Sequence, residues 1–517
     1  MRPMALAALV AVALTAGCSN SGDEASPTTA EAASESTGSA NATTTTTAVP
    51  SSTIELSALH AVRGDQPAIV DAEGRQVILR GVNVNSLGDY HQGDPEAATV
   101  VPVTDSDWAD MAAEGFNVVR LLVSWSKLEP ERGRFDEAYL DQVADAVDAA
   151  AAHGIYTVID MHQDAWGRYI ASPTDVTCPE GSEPSIGWDG APQWATLTDG
   201  ASTCNYGSRE SAPAVQAAWD SFYANRETIM DELVATWSFV AERFADVEAV
   251  AGYDLLNEPN NGTDQAASIA ALGTFYDRAI GAIRSAEAGG EISHIAFFET
   301  TVSGLPVADD FTDDTNIVFA PHNYGESIGP LPIEGTFDYF ATLAARYGTA
   351  LWVGEYGFFE DSDEAEEKLG RYVAKEDALI TAGAAWWQWR QACGDPHSVG
   401  RPGGKSAPVQ IHLRTNGCPG DVDGGVNPRW ACLGRSYPRA APGRLTELTA
   451  NCAGTMSLRG TAPEGLQEIV VWTPGNSGDP IVAGDQLSDV RTQSVDGGYV
   501  ITAAVQGEYS MSISPAP

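Results

Sequence analysis

Positive charge is what this sequence has least of: 28 lysines and arginines stand against 71 aspartates and glutamates, a formal net charge of -43 at pH 7. Nucleic acid and anionic lipid headgroups are repelled by such a surface, so no nucleic-acid partner is expected and the ligand should be neutral or weakly charged. Cysteine is sparse as well, with seven in 517 residues. No Cys-x-x-Cys or His-rich spacing suggests zinc, and no metal is implied. Long hydrophobic runs are missing except at residues 4–14, a stretch too short to span a bilayer. No Gly-x-Gly-x-x-Gly follows the first expected strand, which removes a dinucleotide cofactor. No other cofactor is implied.

What is present begins with Arg2, the apolar run and the small residues before Cys18. Residues 1–18 resemble a bacterial lipoprotein signal, in which the cysteine is lipidated and becomes the mature N-terminus. The mature chain is therefore expected to be exported, as an extracellular or cell-surface lipoprotein. Residues 19–55 are rich in Ser, Thr and Ala, include the Thr43 to Thr47 run, and cannot bury a core, so they read as a disordered linker. Six cysteines remain, an even set in an oxidising compartment, and three disulfides are expected. Cys178 and Cys204 fall in one loop and are the easiest pair to propose; the remaining connectivity is open.

From residue 56 the chain is organised. Residues 68–77 read as a hairpin turned at Glu73-Gly74, placed to plug the bottom of the domain formed by the later residues. Short apolar runs then alternate with helical patterns, the signal of parallel βα units. The eight runs are 77–85, 117–125, 156–164, 250–259, 294–300, 316–324, 350–357 and 383–389. Helices are expected at 105–114, with Thr104 or Asp105 as N-cap, and at 137–153, 215–244, 266–286 and 365–382. Eight such units suit an α/β fold of the closed (β/α)8 TIM-barrel kind, over residues 56–440. Residues 441–517 change to period-two alternation between Gly, Pro, Asn and Asp turns, and predict a small C-terminal antiparallel β-sandwich domain.

In a barrel of this kind the chemistry lies at the C-terminal ends of the strands. The fourth run ends in Asn257-Glu258-Pro259, where the proline stops the strand and leaves a carboxylic acid at its tip. The seventh ends in a second lone acid, Glu355, between Gly354 and Gly357. Arg120 lies on the second run, His162 and Asp164 end the third, His322 and Tyr324 end the sixth, and Trp387 and Trp389 lie on the eighth. Each alone has a mundane explanation, but together they put polar and aromatic groups at one rim.

This set resembles glycoside hydrolase family 5, a retaining family on a (β/α)8 barrel. Within it, Asp160-Met161-His162-Gln163-Asp164, the segment Cys204-Asn205-Tyr206-Gly207-Ser208-Arg209-Glu210 and the C-terminal β domain resemble the endoglycoceramidases, which split intact glycan from the ceramide of glycosphingolipids. The Ala320-Pro321-His322-Asn323-Tyr324 stretch leans towards the endogalactosylceramidase branch. The resemblance implies Glu258 as acid/base and Glu355 as nucleophile. It also implies Asn257 on the sugar 2-hydroxyl, His322 and Tyr324 beside the nucleophile and Trp387 beneath the sugar, with Arg120, His162, Asp164 and Trp389 completing the substrate-binding set. Two carboxyls about 5 Å apart suit the double displacement of a retaining enzyme. Arg120 should keep Glu355 ionised, and the charge of Glu355 should raise the pKa of Glu258. A glycosphingolipid substrate, membrane association through the lipid anchor and a monomeric state complete the expectation.

Two insertions could serve a lipid glycoside. Residues 165–213 carry Trp166, Tyr169, Ile170, Ile186, Trp188, Trp194 and Leu197, and residues 391–442 carry Val409, Ile411, Leu413, Trp430 and Leu433. They either line a groove for acyl chains or bury their own aromatics.

Overall fold

The computed structural model describes residues 56–359, 362–399, 413–414, 425–475 and 479–515. The signal with Cys18, the linker, Val409, Ile411 and Cys418 lie outside the described residues.

Eight parallel strands form one sheet: Leu79–Val84, Val118–Ser124, Tyr156–His162, Val250–Asp254, Ile295–Phe298, Ile317–Phe319, Trp352–Tyr356 and Gly383–Trp386. Each pairs with the next in sequence, and the eighth returns to the first through Gly383↔Leu79. Between the sixth and seventh strands the link is made by the isolated parallel bridges Phe319↔Leu351 and His322↔Glu355. All eight runs read from sequence become barrel strands.

Alternation along a strand explains what each one does. On the second, Val119, Leu121 and Val123 face the helices. Val118 joins the floor of the barrel, Arg120 occupies its middle, and Leu122 packs under Trp387 at the mouth. The third repeats the pattern, with Tyr156 and Val158 in the floor and Ile159 and Met161 against the helices. Asp160 and His162 are thereby left in the mouth. On the seventh, a one-residue bulge between Val353 and Tyr356 re-aims the chain. Glu355 enters the mouth while Tyr356 returns to the helix side and stacks on Tyr372, ring centroids 4.0 Å apart.

The helix Asp105–Ala113 starts at Thr104, whose N–H is accepted by Asp107 at 2.8 Å. The single helix expected over 215–244 is two helices, Pro213–Tyr223 and Ile229–Phe244. Asn225, Glu227 and Thr228 all take positive φ, and the side-chain oxygen of Asn225 accepts the N–H of Met230 at 3.0 Å, capping the second helix. The helix Ile333–Tyr347, which ends at Gly348 with φ 65°, has no counterpart among the expected helices. No helix forms between Phe298 and Ile317.

The hairpin Ala68–Val70 and Arg75–Val77 turns at Gly74, φ 73°, with Asp71 accepting the N–H of Glu73 and of Arg75. Ile69 and Val77 pack with the barrel-floor residues Leu79, Val118 and Val158. The same hairpin also pairs with C-terminal chain, through Val77↔Ala440 and Arg75↔Pro442. It thereby joins a seven-stranded sheet that contains Tyr437–Pro442, Gln467–Pro474, Gly498–Val505 and Leu487–Val495. A four-stranded sheet, Arg444–Ala450, Met456–Thr461, Glu508–Pro515 and Pro480–Ala483, packs on it around Leu448, Leu458, Ile469, Val471, Ile501 and Met511. Arg80 and Arg435 meet Glu376 and Asp377 in a buried ionic group that ties the helix Asp363–Leu379 to this region. Cys178–Cys204 and Cys432–Cys452 are disulfides, and Cys393 is also disulfide-bonded.

Candidate active site

The buried guanidinium of Arg120 organises the mouth. It donates to Asp254 at 2.8 Å, to Glu355 at 2.7 Å, to Asn257 at 3.0 Å and to Asn83 at 3.2 Å, and it pairs with Asp160 at 2.8 Å and Glu299 at 3.3 Å. Removing the guanidinium would leave several buried carboxylates uncompensated, so Arg120 holds the arrangement together. The amide of Asn257 donates to the Gln163 carbonyl at 2.9 Å, which locks the Asn257-Glu258 tip to the end of the third strand.

Glu258 has φ 39°, in the left-handed region. This strained residue is held where its backbone N–H reaches Glu299 at 3.3 Å. Its carboxylate meets His322 Nδ1 at 2.9 Å and Arg209 at 2.7 Å. Glu355 accepts from Tyr324 O–H at 2.9 Å and lies 3.4 Å from the same His322 Nδ1. One carboxylate oxygen of each glutamate and a ring nitrogen of His322 all fall within 4.8 Å of one another. That is the spacing of a double-displacement pair rather than of an inverting one, which must leave room for water.

The electrostatics depart from expectation at Glu258. Burial pushes its carboxyl up, but the His322 hydrogen bond and the Arg209 charge outweigh this, and the group is held below the ordinary glutamate range. The effect anticipated from Glu355 is overridden by these two cations. Burial opposes charge on His322, yet Glu299, Glu355 and Glu258 surround it and raise its pKa well above the usual histidine value. Burial pushes Glu299 up to about 8 and Asp254 to about 6.

His162 lies flat against Trp387, with ring centroids 5.6 Å apart and 16° between planes. Its Nδ1 faces Asp160 at 2.7 Å, and its Nε2 is 3.8 Å from Asp164. Asp164 pairs with Arg209 at 2.8 Å and His397 at 3.2 Å. Burial alone would push Asp164 up, but Arg209 and the two histidines hold it well below the usual carboxylate range. Trp389 does not join this set. It is fully buried, and its indole N–H is bonded to Asp107 at 3.0 Å on the outer side of the barrel. The eighth strand ends at Trp386, so strand alternation no longer governs where Trp389 points.

Three contributors carry no mark in the sequence that singles them out, and a fourth, Arg209, is marked only by its place in the segment from Cys204 to Glu210. Glu299 ends the fifth strand without a flanking glycine or proline. Arg209 comes from the first insertion, with its guanidinium 4.7 Å over the Trp188 ring. His397 comes from the second, with rings of Trp188 at 4.9 Å and Trp387 at 5.1 Å. Asp189 accepts from Ser124 at 3.1 Å, and burial lifts it to about 7. His162, Asp164 and Asp189 could in principle gather around a metal ion, as could Glu258, His322 and Glu355. In both clusters arginine already pairs with a carboxylate, Arg209 with Asp164 and Arg120 with Glu355.

The insertions divide. Trp166 and Ile170 are buried in the core, as are Leu413, Trp430 and Leu433, and Trp430 packs on Trp386 at 4.9 Å. Trp194 packs edge-on against Trp125 at 5.3 Å and donates to the Glu129 carbonyl. Trp188 borders the site, while Tyr169 and Ile186 are exposed.

The family Cellulase (glycosyl hydrolase family 5) matches residues 70–392. Endoglycoceramidase I of Rhodococcus hoagii (strain 103S) is 32% identical over 206 residues, which span 39% of this chain but only 37% of that protein. The crystal structure of an endogalactoceramidase superposes with a TM-score of 0.81 at 42% identity, over 89% of this chain and 100% of that one. Endo-glycoceramidase II from Rhodococcus sp. shares the fold at 24% identity, with a TM-score of 0.66 over 87% of this chain and 100% of its own. With the family match extending over more than half of its length, this chain belongs to glycosyl hydrolase family 5 and is a glycosidase.

Proposed function

We propose that the protein is a retaining β-glycosidase that hydrolyses the bond between the glycan and the ceramide of glycosphingolipids, of the endogalactosylceramidase type. The observation that carries this reading is the Glu258–His322–Glu355 cluster, whose facing atoms lie within 4.8 Å. Glu355, oriented by Arg120 and Tyr324, attacks the anomeric carbon and forms the glycosyl-enzyme. Glu258 protonates the departing ceramide oxygen and then, as base, activates the water that releases the glycan. Trp387 lies beneath the sugar, Asn257 meets its 2-hydroxyl, and His162 and Asp164 continue the polar wall. The similarity to an endogalactoceramidase along the whole of that chain supports the substrate class. The chain is further proposed to be an exported lipoprotein anchored at Cys18, which would hold the enzyme near membrane-borne substrate.

The test is incubation with galactosyl- and glucosyl-linked glycosphingolipids bearing extended glycans. Release of intact oligosaccharide and ceramide is expected, with the galactosyl series preferred. Stepwise loss of single sugars, or rapid cleavage of cellulose or mannan with no action on glycolipid, would overturn the substrate assignment.

A further inference from the structure

Behind the two glutamates sits a third carboxyl that a two-carboxylate reaction leaves unemployed. Glu299 is 3% exposed. Its Oε1 lies 3.1 Å from His322 Nε2 and 3.3 Å from Arg120, and its Oε2 accepts the Glu258 backbone N–H at 3.3 Å. The opposite edge of the same imidazole faces Glu258 Oε1 at 2.9 Å. His322 therefore presents one ring nitrogen to each carboxyl, with Nδ1 hydrogen-bonded to Glu258 and Nε2 at ion-pair distance from Glu299.

We propose that Glu299 is a positioning residue that acts through His322, the three groups forming one relay that stores the acid proton and delivers it to Glu258. The proposal rests on the reading of Glu258 as the acid/base. It answers a difficulty in that reading, since the first step needs a proton on Glu258, whereas His322 and Arg209 hold Glu258 as a carboxylate. Burial instead raises Glu299, and the surrounding carboxylates raise His322, so both hold a proton more readily than Glu258 does.

The relay balances without any further reactant. With Glu299 protonated and His322 neutral, the Glu299 O–H breaks as Nε2–H forms, and Nδ1–H breaks as Glu258 Oε1–H forms. The result is ionised Glu299, the opposite histidine tautomer and a protonated Glu258. An imidazolium between two carboxylates is the intermediate placement of the same two protons. Other groups bear on the net from every side: Arg120 from the second strand, Asp160 from the third, Asp254 from the fourth, Glu355 from the seventh, Tyr324 beyond the sixth, Arg209 from the first insertion, and Tyr276, whose O–H reaches the Glu299 carbonyl at 3.3 Å. Arg120 is shared with Asp160, Asp254 and Glu355, so it does not neutralise Glu299 alone. Burial is what makes the carboxyl there keep its proton, and the shared Arg120 offsets only part of that effect.

The test compares Glu299→Gln with the parent on two aryl glycosides of the same glycan, one with a good and one with a poor leaving group. An activated leaving group needs no acid, so Glu299→Gln should lose about tenfold or more in kcat/KM on the poor one and much less on the good one. Without the proton that Glu299 stores, the acid-competent form is lost at lower pH, so the alkaline limb of kcat/KM should move to lower pH by about one unit. Equal losses on both substrates with an unmoved limb would overturn the relay. Glu258→Gln is the reference: if its own loss does not depend on the leaving group, the acid/base assignment fails and takes the relay with it. Should Glu299→Gln not fold, histidine ring-nitrogen NMR on the unaltered protein decides. The His322 ring must respond in the same pH step as the alkaline limb, and a ring silent there overturns the proposal.

Discussion

Arg209 lies 2.7 Å from Glu258 and bridges it to Asp164, 2.8 Å away on the same guanidinium nitrogen. An arginine on the acid of a glycosidase disfavours the protonated form that the first step requires. Arg209→Gln should therefore raise the pKa of Glu258 and shift the alkaline limb of kcat/KM to higher pH, by about one unit. The shift is opposite in sign to that expected for Glu299→Gln, and pH profiles of both variants on one substrate check it. A limb that moves down for Arg209→Gln would show that the arginine does not act on Glu258.

Glu258→Gln and Glu355→Gln should each lower kcat by roughly a thousandfold or more. Neither should lower the melting temperature much, because Glu355→Gln relieves a site in which four carboxylates crowd Arg120, and Glu258→Gln leaves Arg209 paired with Asp164 and Glu210. Single-turnover kinetics and thermal melts on the purified variants separate the two quantities. A collapsed fold would mean that these groups are structural.

The two tryptophans of the first insertion should part company. Trp188 borders the site beneath Arg209, so Trp188→Ser should reduce kcat/KM on glycolipid in detergent more than on a small aryl glycoside. Trp194 is packed on Trp125 and bonded to Glu129, so Trp194→Ser should cost about 2 kcal/mol of stability and leave selectivity unchanged. Denaturant melts and the two kcat/KM values test the division, and identical behaviour of the two variants would contradict it.

Stability should fall as pH rises. Buried Asp254, Asp189 and Glu299 have folded pKa values near 6, 7 and 8, above their unfolded values near 4, so their ionisation weakens the fold progressively from about pH 4 to about 8. Burial lowers the pKa of His397, but Asp395 and Asp164 outweigh it and lift the value to about 10. Its contribution is complete below pH ~6.5 and is lost as pH climbs through the folded value. Depressed Asp164 works the other way, losing its contribution only in strong acid. Thermal melts should thus be highest at mildly acidic pH and lower at pH 9. A melting temperature that rises from pH 6 to 9 would refute this.

The barrel is legible in the sequence because βα alternation is a repeating signal, and the two glutamates because each ends an apolar run and meets a chain punctuator. The features that escape a sequence reading depend on chain distant from them. Nothing near Arg209 or His397 says that a loop will carry it back to Asp164. The helix break after Tyr223 depends on Asn225 acting as a cap rather than as one more helical position. A period-two rule misplaces Trp389 because the strand ends three residues before it, and Glu299 is hard to see because its strand tip has no glycine or proline beside it.

The sheet that pairs Val77 with Ala440 has a temporal consequence. The hairpin under the barrel precedes all eight barrel strands in the chain, yet its neighbour in that sheet, Tyr437–Pro442, follows all of them. Until Tyr437–Pro442 has been made, Arg75–Val77 presents an open edge, able to pair with another strand. The hairpin and Tyr437–Pro442 thus act as a clasp that fastens only after all eight barrel strands have been made.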